Sequence, residues 1–228
     1  MAAKKAGVAR KGRRRSRSRI YADEFLNASK RARELHERLV SNGYAVKNAG
    51  EDPRPLSQPD RRDISEYLFF EVAAKFEQFA QRTLVLEVQK KLRVNRSRAE
   101  HMVGSSEEGI PIGMGGWADV AKMQKRATGL LGKNAVYARV SQHLGNPRTQ
   151  YLQMAVTTRN RIGHGKGNKK FIEMLGKVPV RLRANERQGV SPGLFLVEYP
   201  RGAHRDDKWF FRFLEAYETW VKLIRRRI

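Results

Sequence analysis

Apolar positions recur at helical spacing along most of the chain. Between Tyr21 and Asn42, Phe25, Ala28, Ala32, Leu35 and Leu39 return at intervals of three and four with charges on the other face. That spacing predicts a helix, stopped by Gly43. The clearest pattern runs from Asp60 to Lys91, where Ile64, Tyr67, Leu68, Val72, Phe76, Phe79, Ala80, Thr83, Leu84 and Leu86 form a wide apolar face. Asp60 or Asp63 stands where a cap is needed, with Glu66 at capping-box distance from Asp63. Phe69, Phe70, Phe76 and Phe79 lie among aliphatic residues at helical spacing, so they are expected to pack a core rather than to offer a platform for bases. Shorter helices are predicted over 94–103, 117–131 and 134–144, with Gly132 and Gly145 as breaks. Pro147 suits the first turn of a helix carrying Tyr151, Leu152, Ala155, Val156 and Ile162. A last amphipathic helix starts near Asp206. It turns Trp209, Phe210, Phe213, Leu214, Tyr217, Trp220, Val221 and Ile224 inward and ends on Arg225, Arg226 and Arg227, which suit the helix dipole.

One region breaks the period. From Lys177 to Ala184, Val178, Val180 and Leu182 alternate with Lys177, Arg181 and Arg183, and Gly193 to Tyr199 is a second β-like run. Together they predict a small β-hairpin near 178–199. The expected architecture is all-α, a helical bundle with that hairpin and the C-terminal amphipathic helix. Its expected parts are a basic arm over 1–20, an N-terminal helix with a proline-containing linker over 21–56, and a helical domain over 57–228 with an extension from about 171.

Charge changes the picture. The chain of 228 residues carries 47 Lys and Arg against 23 Asp and Glu, a net +24. Nine of the cations fall within residues 1–19, among them Arg13, Arg14 and Arg15, with no acid and almost no large apolar residue between them. Such a segment cannot offset the entropy of ordering, and it is expected to be a disordered arm that grips nucleic acid. Without it the remainder still holds +15. An excess of this size predicts a polyanionic partner, because each phosphate neutralised releases condensed counterions.

Composition also excludes chemistry. The chain has no cysteine, which removes disulfides and thiolate metal sites. His36, His101, His143 and His204 are scattered without ligand spacing and are expected on the surface or in packing, so neither a metal nor a cofactor is expected. The string from Gly129 to Asn134 lacks the glycine spacing and the following Ser or Thr of a phosphate loop, and no nucleophile elbow or H-E-x-x-H occurs. No apolar run reaches membrane-spanning length, so the reading is a soluble cytoplasmic protein without membrane insertion.

What remains is one stretch, Arg159-Asn160-Arg161-Ile162-Gly163-His164-Gly165, at the end of a predicted helix. Metal-independent RNA cleavage needs a group that moves a proton near neutral pH, and a permanent cation for the phosphorane charge. Histidine and arginine supply these, and arginine grips phosphate through two donors. Arg159, Asn160 and His164 resemble the motif of the HEPN superfamily (higher eukaryotes and prokaryotes nucleotide-binding), in which arginine is followed by a polar residue and, four to six residues on, by histidine. The string is especially similar to prokaryotic groups such as RiboL-PSP. The resemblance covers roughly 57–170 in layout.

That resemblance implies an all-α bundle that homodimerises, bringing two motifs to a shared cleft, and a metal-independent endoribonuclease. His164 would be the general acid or base in attack of the ribose 2′-hydroxyl, leaving a cyclic phosphate. Arg159 would hold the phosphoryl oxygens and Asn160 would orient the histidine or substrate. Arg161 and Lys166 would add positive potential for RNA. A role as toxin or phage-defence effector, with an antitoxin or defence-system partner, rests on the same analogy. On a straight helix five residues turn about 140° and rise roughly 7.5 Å. Arg159 and His164 therefore need either a helix end at Gly163 or a second subunit. Four alternatives stand beside the catalytic reading: a non-catalytic RNA- or DNA-binding protein, a degenerate HEPN domain, an ordinary helix C-terminus with its basic residues and glycine cap, and membrane-surface attachment by the basic tail. The lack of a lipidation signal or apolar anchor beside the tail counts against the last.

Overall fold

The computed structural model describes residues 16–41, 55–104, 117–165, 168–178, 187–198 and 208–227, and among these it is all-α. In chain order the helices are α1 (Arg17–His36), extended by a π-helical turn (Glu37–Ser41), α2 (Gln58–Leu92), α3 (Arg96–Gly104), α4 (Val120–Leu131), α5 (Val140–Leu144), α6 (Asn146–His164), α7 (Asn168–Lys177), α8 (Pro192–Glu198) and α9 (Trp209–Arg227). Arg13, Arg14 and Arg15 of the arm, most of the proline-containing linker, the glycine-rich stretch 105–116 and Lys166 lie outside the described residues.

The longest helix, α2, begins where its local chemistry satisfies the free backbone groups. Ser57 is the cap: its Oγ accepts from the Asp60 N–H at 3.3 Å, and the Asp60 carboxylate accepts from the Ser57 N–H at 3.2 Å. Asp60 is thus the reciprocal partner of a capping box and not the cap, and Pro59 occupies the first turn, where no N–H is required. Phe69, Val72, Ala73, Phe76, Phe79, Ala80, Leu84 and Val88 are buried, so α2 runs through the middle of the bundle. Tyr67, expected on the apolar face, is instead 66% exposed. It sits at the edge of the stripe, where α2 meets solvent.

α2 packs against α1 and α9 through aromatic rings. Tyr217 stacks on Phe76 at 4.3 Å, Trp220 meets the same ring edge-on at 5.2 Å, and Phe25 approaches it at 5.8 Å. Glu218 of α9 accepts from Ser29 Oγ at 2.7 Å and from Arg33 Nε at 2.9 Å, tying both helices together. His36 is fully buried, stacked on Phe210 at 4.0 Å, with its Nε2 3.1 Å from Ser65 Oγ, a packing histidine as expected. A single cluster of buried residues therefore runs from Ala22 to Ile224. Among the described residues, those of α1 and those of α7, α8 and α9 contribute to this same cluster.

Several sequence expectations are corrected. α1 starts at Arg17, so Arg17 and Arg19 belong to its first turn and not to the arm. Burial of Ser18, Ala22 and Phe25 against the bundle offsets the cost of ordering that turn. Residues 134–144 divide into a 3₁₀ turn (Tyr137–Arg139) and the short α5, with the Tyr137 hydroxyl bonded to Thr83 Oγ1. The predicted second strand is helical: Pro192–Glu198 forms α8, with Gly193, Phe195, Leu196 and Val197 buried. A short apolar run buried on most sides has no visible period, and tertiary contact decides its conformation. The first strand of that hairpin falls largely on 179–186, outside the described residues, and Lys177 closes α7.

Candidate functional site

The site residues sit at the C-terminal end of α6. This helix enters at Asn146 and Pro147, buries Leu152 and Ala155, and runs unbroken through Gly163 to His164, with Gly165 as a left-handed cap at φ 59°. Gly163 therefore does not end the helix. Its role is close approach, since a Cβ there would stand 2.9 Å from Cε2 of Phe70 on α2. Glycine lets α6 rest on that ring.

Phe70 carries more than Gly163. The Arg159 guanidinium lies over its face at 5.1 Å from the ring centre, a cation–π contact. Seven residues on, about two turns along α2, Glu77 places Oε2 3.4 Å from Arg159 Nη2. Arg159 Nη1 donates to Asn160 Oδ1 at 3.3 Å. Arg159 and Glu77 are each 6% exposed, so the pair is removed from water. Arg159 Nε and the Tyr217 hydroxyl, both buried, have no hydrogen-bond partner among the described residues. Buried donors left this way are uncommon and costly.

Electrostatics at the pair are governed by burial. Desolvation pushes the Glu77 carboxyl up to about 7, and the Arg159 charge offsets this only in part. One contact of 3.4 Å is weaker than the bidentate fork that arginine and carboxylate make when they bind fully. The Tyr217 hydroxyl is also raised, first by its burial and then by the nearby Glu77 charge.

The predicted residues divide into two groups. Arg159 meets Glu77 and Phe70 inside the α2–α6 contact and donates to the half-buried Asn160, whereas His164 is exposed at the helix end. Within one chain Arg159 and His164 leave α6 in different directions. Arg161 is half-buried and donates to the Gly165 carbonyl, closing the cap, and its charge also acts on Glu66. Glu77 and Phe70 are the members that the motif alone does not reveal. A signal existed for Glu77, because an acid between Ala73 and Ala80 on a buried stripe requires a cation, but the sequence does not say which one.

Among the described residues, no group of three or more His, Asp or Glu side chains is placed to hold a metal ion, and no helix is long and apolar enough to cross a membrane. Compared with protein-family models, curated proteins and solved structures, the chain matches none.

Proposed function

We propose that the protein is a metal-independent endoribonuclease of HEPN type, acting as a homodimer. The observation that carries this reading is the end of α6. It holds a buried arginine by a single long carboxylate contact, with an unsatisfied Nε, five residues before an exposed histidine. A purely structural pair would be expected to use its donors fully, and departures from that rule concentrate at functional sites.

In this reading His164 takes the proton from the ribose 2′-hydroxyl or returns it to the leaving oxygen. Arg159 supplies fixed positive charge beneath the reacting phosphate. Asn160 and Glu77 hold the guanidinium in orientation, and the Phe70 ring supports it from below. Because the five-residue offset separates Arg159 from His164 within one α6, two copies meeting at this end would complete each site. The basic residues Arg161 and Lys166, and the arm residues Arg13, Arg14 and Arg15, would draw the RNA. A toxin or defence setting with a neutralising partner follows only from the resemblance.

Purified protein incubated with RNA in EDTA is expected to leave 2′,3′-cyclic phosphate ends. His164→Ala is expected to abolish the product, and Arg159→Ala to lower it at least a hundredfold. Cleavage that survives in both variants removes the assignment.

The burial of Arg159 favours a second reading, a nucleic-acid-binding protein without catalysis, in which Arg159 and Glu77 only lock α2 to α6. It is distinguished by salt-sensitive RNA binding with no product from any substrate.

A further inference from the structure

A groove runs beside the α1–α2 contact, bordered at one end by α3, on the flank of α2 away from Arg159. Lys75, Gln78, Arg82 and Gln89 form one stripe of α2, roughly 21 Å long, and Lys75 lies about 140° around the helix from Phe70. Two cavities open along it, of about 330 and 340 Å³. They meet at Tyr21 and Arg82, which line both. The Arg82 guanidinium is stacked over the Tyr21 ring at 5.3 Å and paired with Glu24 at 3.4 Å.

Cations outnumber acids in this groove. Arg17, Arg31, Lys75, Arg82 and Arg96 face Glu24 and Glu100. Both carboxylates are already engaged, Glu100 by Arg96 at 2.7 Å. Arg17, Arg31 and Lys75 are exposed and make no ion pair among the described residues. Exposed Asn27, Gln78 and Gln81 add amide donors and acceptors along the floor. A basic track with an aromatic ring, a stacked arginine and amides matches the chemistry that holds a single nucleic-acid strand: cations for the backbone, a π-face and amides for bases. Phe25, Ala28, Phe79, Val85 and Leu86 also line the groove, between the charged and amide groups. A concave groove between two helices also receives one backbone more readily than a convex duplex.

We propose that the α1–α2 groove is a binding track for single-stranded RNA, separate from the His164 end of α6. The basic run of the sequence that ends at Arg19 passes into α1 at the Arg17 end of this track, so positive charge continues from arm to groove along the chain.

The test uses the whole 228-residue chain carrying His164→Ala, so that cleavage cannot affect the reading, with a fluorescein-labelled single-stranded RNA followed by anisotropy. Arg31→Glu/Lys75→Glu is expected to weaken binding at least tenfold and to reduce the salt slope by about 1.4, the share of two phosphate contacts. Arg38→Glu/Lys122→Glu makes the same change of net charge at exposed positions outside the groove and is expected to cost less than threefold. Equal losses in the two pairs, or no loss in the first, overturn the proposal. Equally groove-dependent binding of a duplex RNA also overturns it. Arg31→Gln/Lys75→Gln introduces no repulsion and serves the same comparison if the reversal pair fails to fold. Because the readout is binding alone, these outcomes stand whether or not the wild-type protein cleaves RNA.

Discussion

Glu77 shows how far one side chain can depend on its surroundings. Its carboxyl, ordinarily near 4.5, is pushed up to about 7 by desolvation. A carboxyl raised on folding binds protons more tightly in the native state, so its contribution to stability is fully present below about pH 4.5 and is lost as pH rises through about 7. Glu77→Gln keeps an oxygen for Arg159 and removes the titration. We expect the melting temperature of the wild type to fall more steeply between pH 5 and pH 8 than that of Glu77→Gln, with the difference between the curves isolating this group. Parallel curves from thermal melts at several pH values would show that Arg159 compensates burial fully. The motif residues Arg159, Asn160 and His164 were legible in the sequence. Their separation into a buried arginine, a half-buried asparagine and an exposed histidine was not, because helix phase relative to neighbouring elements depends on which face α6 turns toward Phe70.

Among the elements, α8 shows where sequence pattern fails. Leu194, Phe195, Leu196 and Val197 read equally as a strand or as one turn of buried helix, and the deciding contact is remote. Gly193 lies so close to α2 that a Cβ there would stand 2.6 Å from the Arg62 carbonyl oxygen. Its N–H donates to Glu66 Oε1 at 2.6 Å, and Arg62 Nη2 reaches Glu198 at 2.8 Å at the far end of α8. Since the obstructing atoms are the Arg62 backbone and its Cβ, which cannot swing aside, α8 must move for any side chain to fit. Gly193→Ala is therefore expected to destabilise by about 2 kcal/mol, within the range for overpacked cores. A urea midpoint unchanged from wild type would mean that α8 shifts freely. By contrast, the starts of α2 and α6 were nearly readable, because a polar cap before the apolar run and Pro147 in a first turn are local signals. Even so, the cap of α2 lay three residues before the aspartate first expected there.

For the molecule as a whole, the informative feature is that the first and last described helices meet on the middle one. Phe76 touches Phe25, Tyr217 and Trp220, contacts that span the chain from α1 to α9. Phe76→Ala is expected to cost about 3–5 kcal/mol and to lower the whole transition together. Separate unfolding steps for the N-terminal helix, seen by hydrogen exchange or by non-coincident melts, would instead support a division near residue 57.

The sequence by itself determined the helical class, through the period of its apolar residues, the excess of positive charge, and the one stretch where arginine, asparagine and histidine fall together. These are properties of local spacing and composition, which need no knowledge of distant neighbours. Only the tertiary structure decided that Glu77 and Phe70 receive Arg159, that Gly163 allows α6 to approach α2, that 193–198 is helical, and that α1 and α2 leave a basic groove between them. Each depends on residues brought together from far apart in the chain, where burial changes the charge state of a carboxyl, the space open to a Cβ, and the reach of a cation.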